Sequence, residues 1–369
     1  MTNDEQTSRS GRHRRNLIWI GASAALVAIV LVVTALFATG AFARPETAAT
    51  PTSTPTPAAT STPAETAAPA DEREPVVAFG GECANVMTEA EASAITGRDM
   101  VLSEFAWRDG AETVLGGIDC MWTSTTEYMT GIVRVIAYPL AVVPAEVDES
   151  LTLGCVPSGP DDSLLDCAAR TVAGDTWVFM TTRGDAAIGD VDALLATVGL
   201  RADALPSAVP AGRTPDWWTV PDCAALASEV DPSVVGHDRI EPWPDGMTRM
   251  SSPPTPYSIP WMTGSARECA LLLTSDSHQW GIRMRFVPGG GVEFPSVLGA
   301  EGLRHIAQDG SVQIVIVPGN GRLEGEPGRI VVSDGTNLLA LIDEIADDHD
   351  PEDFVPLVTE LLAAVNIGR

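Results

Sequence analysis

CANVMTEAEASAITG (83–97) and CAALASEVDPSVVG (223–236) decide how this chain is built, because each is a degenerate copy of the other. In both, a hydroxyl residue stands five places after the Cys (Thr88, Ser228) and Glu follows it. An acid comes three places after the hydroxyl (Glu91, Asp231), then a Ser, an apolar residue and a closing Gly (Gly97, Gly236). Thr88 with Glu91 has the spacing of a capping box, in which the hydroxyl accepts from a first-turn N–H and the carboxylate reaches back to the cap. Gly97 and Gly236 suit the left-handed backbone that ends a helix. Pro232 falls in the first turn of the second-copy helix, where a missing N–H does little harm. Each stretch is expected to open its copy with a helix.

Further landmarks follow in the same order. Cys120-Met-Trp122 leads to Gly131–Tyr138, and Cys269-Ala-Leu-Leu272 leads to Gly281–Phe286. In the latter, Ile282, Met284 and Phe286 alternate with Arg283 and Arg285, the period of a half-buried strand with one face in water. Ser150–Pro157 then pairs with Ser311–Pro318, and Arg170–Met180 with Arg329–Leu341. Each copy closes on an apolar stripe at helical spacing: Val191, Leu194, Leu195 and Val198 in one, Phe354, Val358, Leu361 and Val365 in the other. The expected unit is helix, three or four antiparallel strands, helix. That makes an α+β fold in two tandem, helix-backed antiparallel-sheet domains, 76–205 and 217–369, joined by a linker at 206–216.

Six cysteines allow fifteen pairings, and the repeat selects one. Cys83 with Cys120 and Cys223 with Cys269 are the equivalent pairs, each tying a first helix to a strand. Cys155 and Cys167 have no counterpart and are expected to bridge the loop between them. Neither a C-x-x-C motif nor a Cys/His ligand spacing is present.

Upstream, Leu17–Phe42 contains no charged residue. As a helix its 26 residues would span about 39 Å, more than the ~30 Å apolar thickness of a bilayer. Arg9, Arg12, Arg14 and Arg15 precede it, which orients the N-terminus to the cytoplasm by the positive-inside rule. The reading is a cytoplasmic tail (1–16), a single-pass transmembrane helix (17–42), a Pro/Thr/Ala-rich disordered linker (43–75) and an extracytoplasmic remainder at the plasma membrane. A signal peptide cleaved after Ala43 is the competing reading, although its apolar core would be unusually long. Outside a cytoplasm, cysteines are expected to be oxidised.

The net charge is −28, from 50 Asp and Glu against 22 Arg and no Lys. Such acidity argues against nucleic acid as a partner, which calls for a positive face. The missing Lys excludes a phosphate loop and any Lys-based mechanism.

The Cys, Ser/Thr-Glu-x-acid helix, and second Cys followed by a strand together resemble a group of actinobacterial envelope lipoproteins of unknown function, here in tandem. More loosely the pattern is similar to the disulfide-stapled extracellular sensor domains of mycobacterial receptor kinases. The resemblance covers about Cys83–Leu200 and Cys223–Ile367. It implies a helix-backed antiparallel sheet and a ligand-sensing or substrate-holding role, and supplies no catalytic residues. The chain departs from the lipoproteins in having no lipid-acceptor cysteine, and from the kinases in its short inside segment.

Little else points to chemistry. His13, His237, His278, His305 and His349 are scattered. Gly289-Gly290-Gly291 reads as a flexible hairpin turn with no helix signal directly behind it. Arg183-Gly-Asp185 reads as a turn. The acidic run Asp347–Asp353 lacks the pattern of a calcium loop and suits the start of the last helix. No metal and no cofactor are expected. The candidate binding residues are aromatic. Trp217 and Trp218 stand before the second copy, and Trp243, Trp261 and Trp280 lie in or just after its long insert, which contains PWPDGMTRMSSPPTPYSIPWM (242–262). Such stretches line grooves for sugars or peptides; the competing reading is a loop packed over the core. The function expected is binding of an envelope ligand or partner without catalysis. The alternative is an envelope hydrolase or transferase with a site between the copies.

Overall fold

The computed structural model describes residues 73–103, 110–126, 130–158, 163–185, 191–243, 254–275, 279–299, 302–317, 329–341 and 351–365. The apolar run 17–42 and most of the Pro/Thr/Ala tract lie outside them. Among the described residues no helix is long and apolar enough to cross a membrane.

The N-terminal half opens with α1 (Cys83–Val86) and α2 (Glu89–Thr96). Its strands are β1 (Met100–Leu102), β2 (Ile118–Ser124), β3 (Ile132–Pro139), β4 (Gly154–Ser158), β5 (Leu164–Ala173) and β6 (Thr176–Asp185). Between them lie α3 (Ala111–Val114) and α4 (Ala145–Ser150), and α5 (Val191–Asp203) closes the half. The C-terminal half opens with α6 (Cys223–Glu229) and a 3-10 turn at Pro232–Val235. Its strands are β7 (Arg239–Pro242), β8 (Arg267–Thr274), β9 (Gln279–Val287), β10 (Arg304–Asp309), β11 (Val312–Val317), β12 (Arg329–Ser333) and β13 (Leu338–Leu341). α7 (Ile259–Met262), α8 (Phe294–Leu298) and the closing α9 (Val355–Val365) complete it.

Both sheets are antiparallel throughout and follow one path. The first runs β1-β2-β3-β6-β5-β4; the second runs β7-β8-β9-β13-β12-β11-β10, the same order with one strand added at the end. There are more strands than the expected three or four per copy. The sequences 170–180 and 329–341 are not single strands but hairpins, turned at Gly174-Asp175 and at Asp334–Asn337. Their apolar runs continue through the turns, so periodicity alone did not divide them. Likewise Ser150 ends α4, and the strand expected from it begins only at Gly154.

The capping box is formed: Thr88 Oγ1 accepts from Glu91 N at 3.2 Å, and Glu91 accepts from Thr88 N at 2.8 Å. Gly97 ends α2 at φ +70° and Gly236 ends the Pro232 turn at the same φ. The second copy caps differently. Asp222 opens α6 and Asp231 opens the Pro232 turn, while Ser228 bonds back to Ala225 O.

All three expected disulfides are present, and no cysteine among the described residues is free. Cys120 and Cys269 are each the third residue of their strand, opposite Val135 and Met284. Their Cα atoms stand 5.6 and 5.4 Å from those of Cys83 and Cys223 on the opening helices. These strand positions point into the helix-backed cores. In the first core Cys120 lies with Trp122, Val135, Met180 and the α5 stripe; in the second Cys269 lies with Met284, Phe286, Leu339 and the α9 stripe. Each fully buried large side chain of this kind stabilises the fold by about 1.5–3 kcal/mol.

The other face of the second sheet, read from the Arg283 and Arg285 alternation, was expected in water, and the first sheet has an equivalent face. Neither is, and the reason is an exchange. Ile136, Tyr138, Trp177 and Phe179 of the first sheet pack with Val147 of α4 and with Ile259 from the C-terminal half. Val287, Val315, Val331 and Leu338 of the second sheet pack with Phe294 and Val297 of α8 and with Ala111 and Val114 from the N-terminal half. The donated segments are topological equivalents, since α3 lies between β1 and β2, and α7 between β7 and β8. Each half therefore completes the second face of the other.

Candidate functional site

The seam between the halves is the region where sequence-distant chemistry converges. The linker is pinned there. Val76 and Val209 exchange backbone hydrogen bonds of 2.9 and 2.8 Å, Ala211 N donates to Val114 O at 2.8 Å, and Gly212 N donates to Arg73 O at 2.8 Å. Thr113 Oγ1 donates to a Glu293 carboxylate oxygen and Ser150 Oγ to Pro254 O, both across the seam. Gly110, at φ +79°, lets the two backbones approach: a Cβ there would stand 3.0 Å from Gly290 O.

The triple glycine belongs to the same region and is not a hairpin turn. Gly289 (φ +82°) leads straight into a 3-10 turn, Gly290–Glu293, and then α8. Each glycine answers a close approach. A Cβ on Gly289 would strike the Trp217 ring, Gly290 faces Gly110, and a Cβ on Gly291 would stand 2.6 Å from Gly335 O. Asn337, fully buried, ties this turn to the linker. Its Oδ1 accepts from Trp218 N (3.0 Å) and Gly289 N (3.1 Å), and its Nδ2 donates to Asp216 O (2.9 Å) and the Asp334 carboxylate (3.0 Å).

The five tryptophans do not form one cluster. Trp218 is fully buried in the second core, edge-on to Phe286 at 6.4 Å. Trp217 and Trp261 are partly buried against the apolar cluster that receives Ala111 and Val114. The Arg213 guanidinium lies 5.7 Å from the Trp217 ring centre. Trp243 sits apart, its ring filling the space a Gly281 side chain would take. Trp280 pairs with Leu273 in the β8–β9 ladder, and its side chain lies outside the description.

What the seam does assemble is a pair of arginine–acid–aromatic groups, both served by one insert. On the first sheet Arg134 binds Asp119 through two nitrogens, the Nε bond being 2.8 Å, and lies 4.1 Å from the Tyr257 ring centre. Burial works against the Arg134 charge, but Asp119 outweighs it, with Tyr257 and Glu112 adding to it, and holds the pKa above the ordinary arginine value. On the second sheet Arg283 and Arg285 approach Glu268 at 3.6 and 3.7 Å, and Arg285 lies 4.8 Å from the Trp261 ring centre. Arg283 and Arg285, expected on a wet face, keep 26% and 17% of their side-chain surface exposed. Tyr257 and Trp261 flank Ile259, so a single turn of chain covers an arginine of each half.

Sequence reading missed these groups, although a signal was there. An acid immediately precedes each strand cysteine (Asp119, Glu268), and an Arg immediately precedes the residue opposite it (Arg134, Arg283). The Arg183-Gly-Asp185 triplet, expected in a turn, ends β6, where Arg183 pairs with Asp166 at 2.6 Å and lowers that carboxyl's pKa. Glu352 of the acidic run pairs with Arg304 at 3.0 Å. Among the described residues no group of three or more His, Cys, Asp or Glu is placed to hold a metal ion.

Comparison with protein-family models, with characterised proteins and with solved structures finds no match to this chain.

Proposed function

We propose that this protein is a single-pass, membrane-tethered binding module of the bacterial cell envelope, a tandem duplication of one α+β unit that engages a ligand or protein partner at the seam between its copies without catalysis. The tether is the uncharged run 17–42 with its flanking arginines, followed by the Pro/Thr/Ala linker. Three disulfides suit the oxidising side of a membrane.

The observation that carries the binding reading is the insert 254–262. It sets Tyr257 over Arg134 and Trp261 over Arg285, with the guanidiniums partly open and the neighbouring Met262 exposed. Aromatic and arginine side chains are the residues most enriched at binding hot spots.

The test combines location and contact. The protein should sediment with membranes, resist alkaline extraction, and lose its C-terminal part to protease added to spheroplasts. A photo-crosslinking residue at Met262 should give one discrete adduct in intact cells, while the same residue at the exposed Leu200 gives none. Adducts at Leu200 alone, or a chain wholly protected from external protease, would refute the reading.

A further inference from the structure

We infer that the two halves are noncovalent partners whose seam is strong enough to hold them together when the backbone between them is cut. The inference does not rest on the membrane or ligand readings. All three disulfides close within one half: 83–120 and 155–167 in the first, 223–269 in the second. Only the linker backbone joins the halves covalently, and Pro206-Ser207 within it is exposed.

The seam has the character of an obligate interface. Ile259 and Ala111 are both 0% exposed, yet each fills the apolar cluster on the opposite half's sheet. A half by itself would leave part of that sheet face uncovered beside its own Val147 or Phe294 and Val297, and faces so apolar occur in water mainly as interfaces. The pinned segment adds to this. The Val76–Val209 and Ala211–Val114 hydrogen bonds join residues on opposite sides of Pro206-Ser207, so a cut there leaves them intact. The partner that fits each exposed face is thus the β-to-β insert of the other half. A proteolytic nick at 206–207 would leave the C-terminal half docked on the N-terminal one.

The experiment uses the full chain with a site-specific protease sequence inserted between Pro206 and Ser207. After complete cleavage, non-reducing size-exclusion chromatography with light scattering should show both fragments co-eluting at the mass of the uncut chain, separating only in denaturant. Ile259→Glu should elute as one particle before cleavage and as two afterwards. Should that variant fail to fold, Ile259→Ala should raise the concentration at which the cut halves part by at least tenfold. Cut wild-type halves that elute separately, or a half that precipitates alone on cleavage, would overturn the inference.

Discussion

Asn337 shows how one short polar side chain can fix three segments at once. With no exposed surface it satisfies the backbone N–H of Trp218 and of Gly289 and donates to Asp216 O and Asp334. Removing it strands two donors without water. Asn337→Ala is expected to cost about 2–6 kcal/mol, since each buried group left unsatisfied costs roughly 1–3; urea titration measures it. Asn337→Asp keeps the acceptor but sets a second carboxylate against Asp334, and should destabilise as well. Gly281 is the apolar counterpart. A Cβ there would lie 1.3 Å from the Trp243 ring, so Gly281→Ala should cost about 1–3 kcal/mol by overpacking. In a Trp243→Ala background most of that penalty should vanish, and a double-mutant cycle reads the coupling.

The Glu91–Arg201 pair sets a pH dependence at the same scale. Arg201 donates to Glu91 at 2.6 Å and, against a smaller cost of burial, lowers its pKa from 4.5 to about 2, helped by Thr88. A carboxyl depressed in the folded state contributes stability that is fully present above the unfolded value and is lost as pH falls through the folded one. Unfolding midpoints should therefore drop between about pH 5 and pH 2, and Glu91→Gln should flatten that part of the profile. An unchanged slope in the variant would remove the pair from the account.

At the scale of elements the question is how two sheets avoid pairing with neighbours. The last strand of the first sheet, β4, is exposed along most of its length. Cys155 and Cys167 are directly opposed with Cα atoms 4.0 Å apart, the narrow spacing of a non-hydrogen-bonded pair. Cys155 and Pro157 accordingly turn their backbone groups outward, and Pro157 has no N–H to offer there. Proline on an edge strand blunts it against pairing. In the second sheet the equivalent strand β11 is covered by β10, whose register breaks between His305 and Ala307, another device that spoils an edge. Pro157→Val should restore a donor and produce concentration-dependent self-association, visible by light scattering. Replacing both Cys155 and Cys167 by Ser should cost about 3 kcal/mol on the chain-entropy view of a short loop, without disturbing the other two bridges.

Much at this scale was legible in advance. The cysteine pairing followed because two equivalent bridges leave a third by subtraction, and the capping box and terminal stripes are local signals with fixed spacing. The hairpins at Gly174 and Asp334 were not, since apolar runs on both sides hide a tight turn from a periodicity reading. The arginine–acid–aromatic groups escaped for a different reason: Arg134 meets Tyr257 across 123 positions of chain, and nothing local announces such a contact. The tryptophans drew notice by their bulk, yet the structure disperses them, Trp218 into a core and Trp243 onto a glycine.

For the molecule as a whole, the alternation that suggested a wet face at Arg283 and Arg285 was sound chemistry with the wrong neighbour. The face is covered by an insert, and the equivalent insert of the other half does the same in return. Two tandem units would ordinarily be linked by a flexible connection and unfold one after the other. Here each sheet depends on a segment of the opposite half, which ties their stabilities together. Calorimetry of residues 73–369 tests this most directly. A single transition whose calorimetric and van't Hoff enthalpies agree is the predicted result. Two resolved transitions, with the transition of the N-terminal half unmoved by Ile259→Glu, would contradict it.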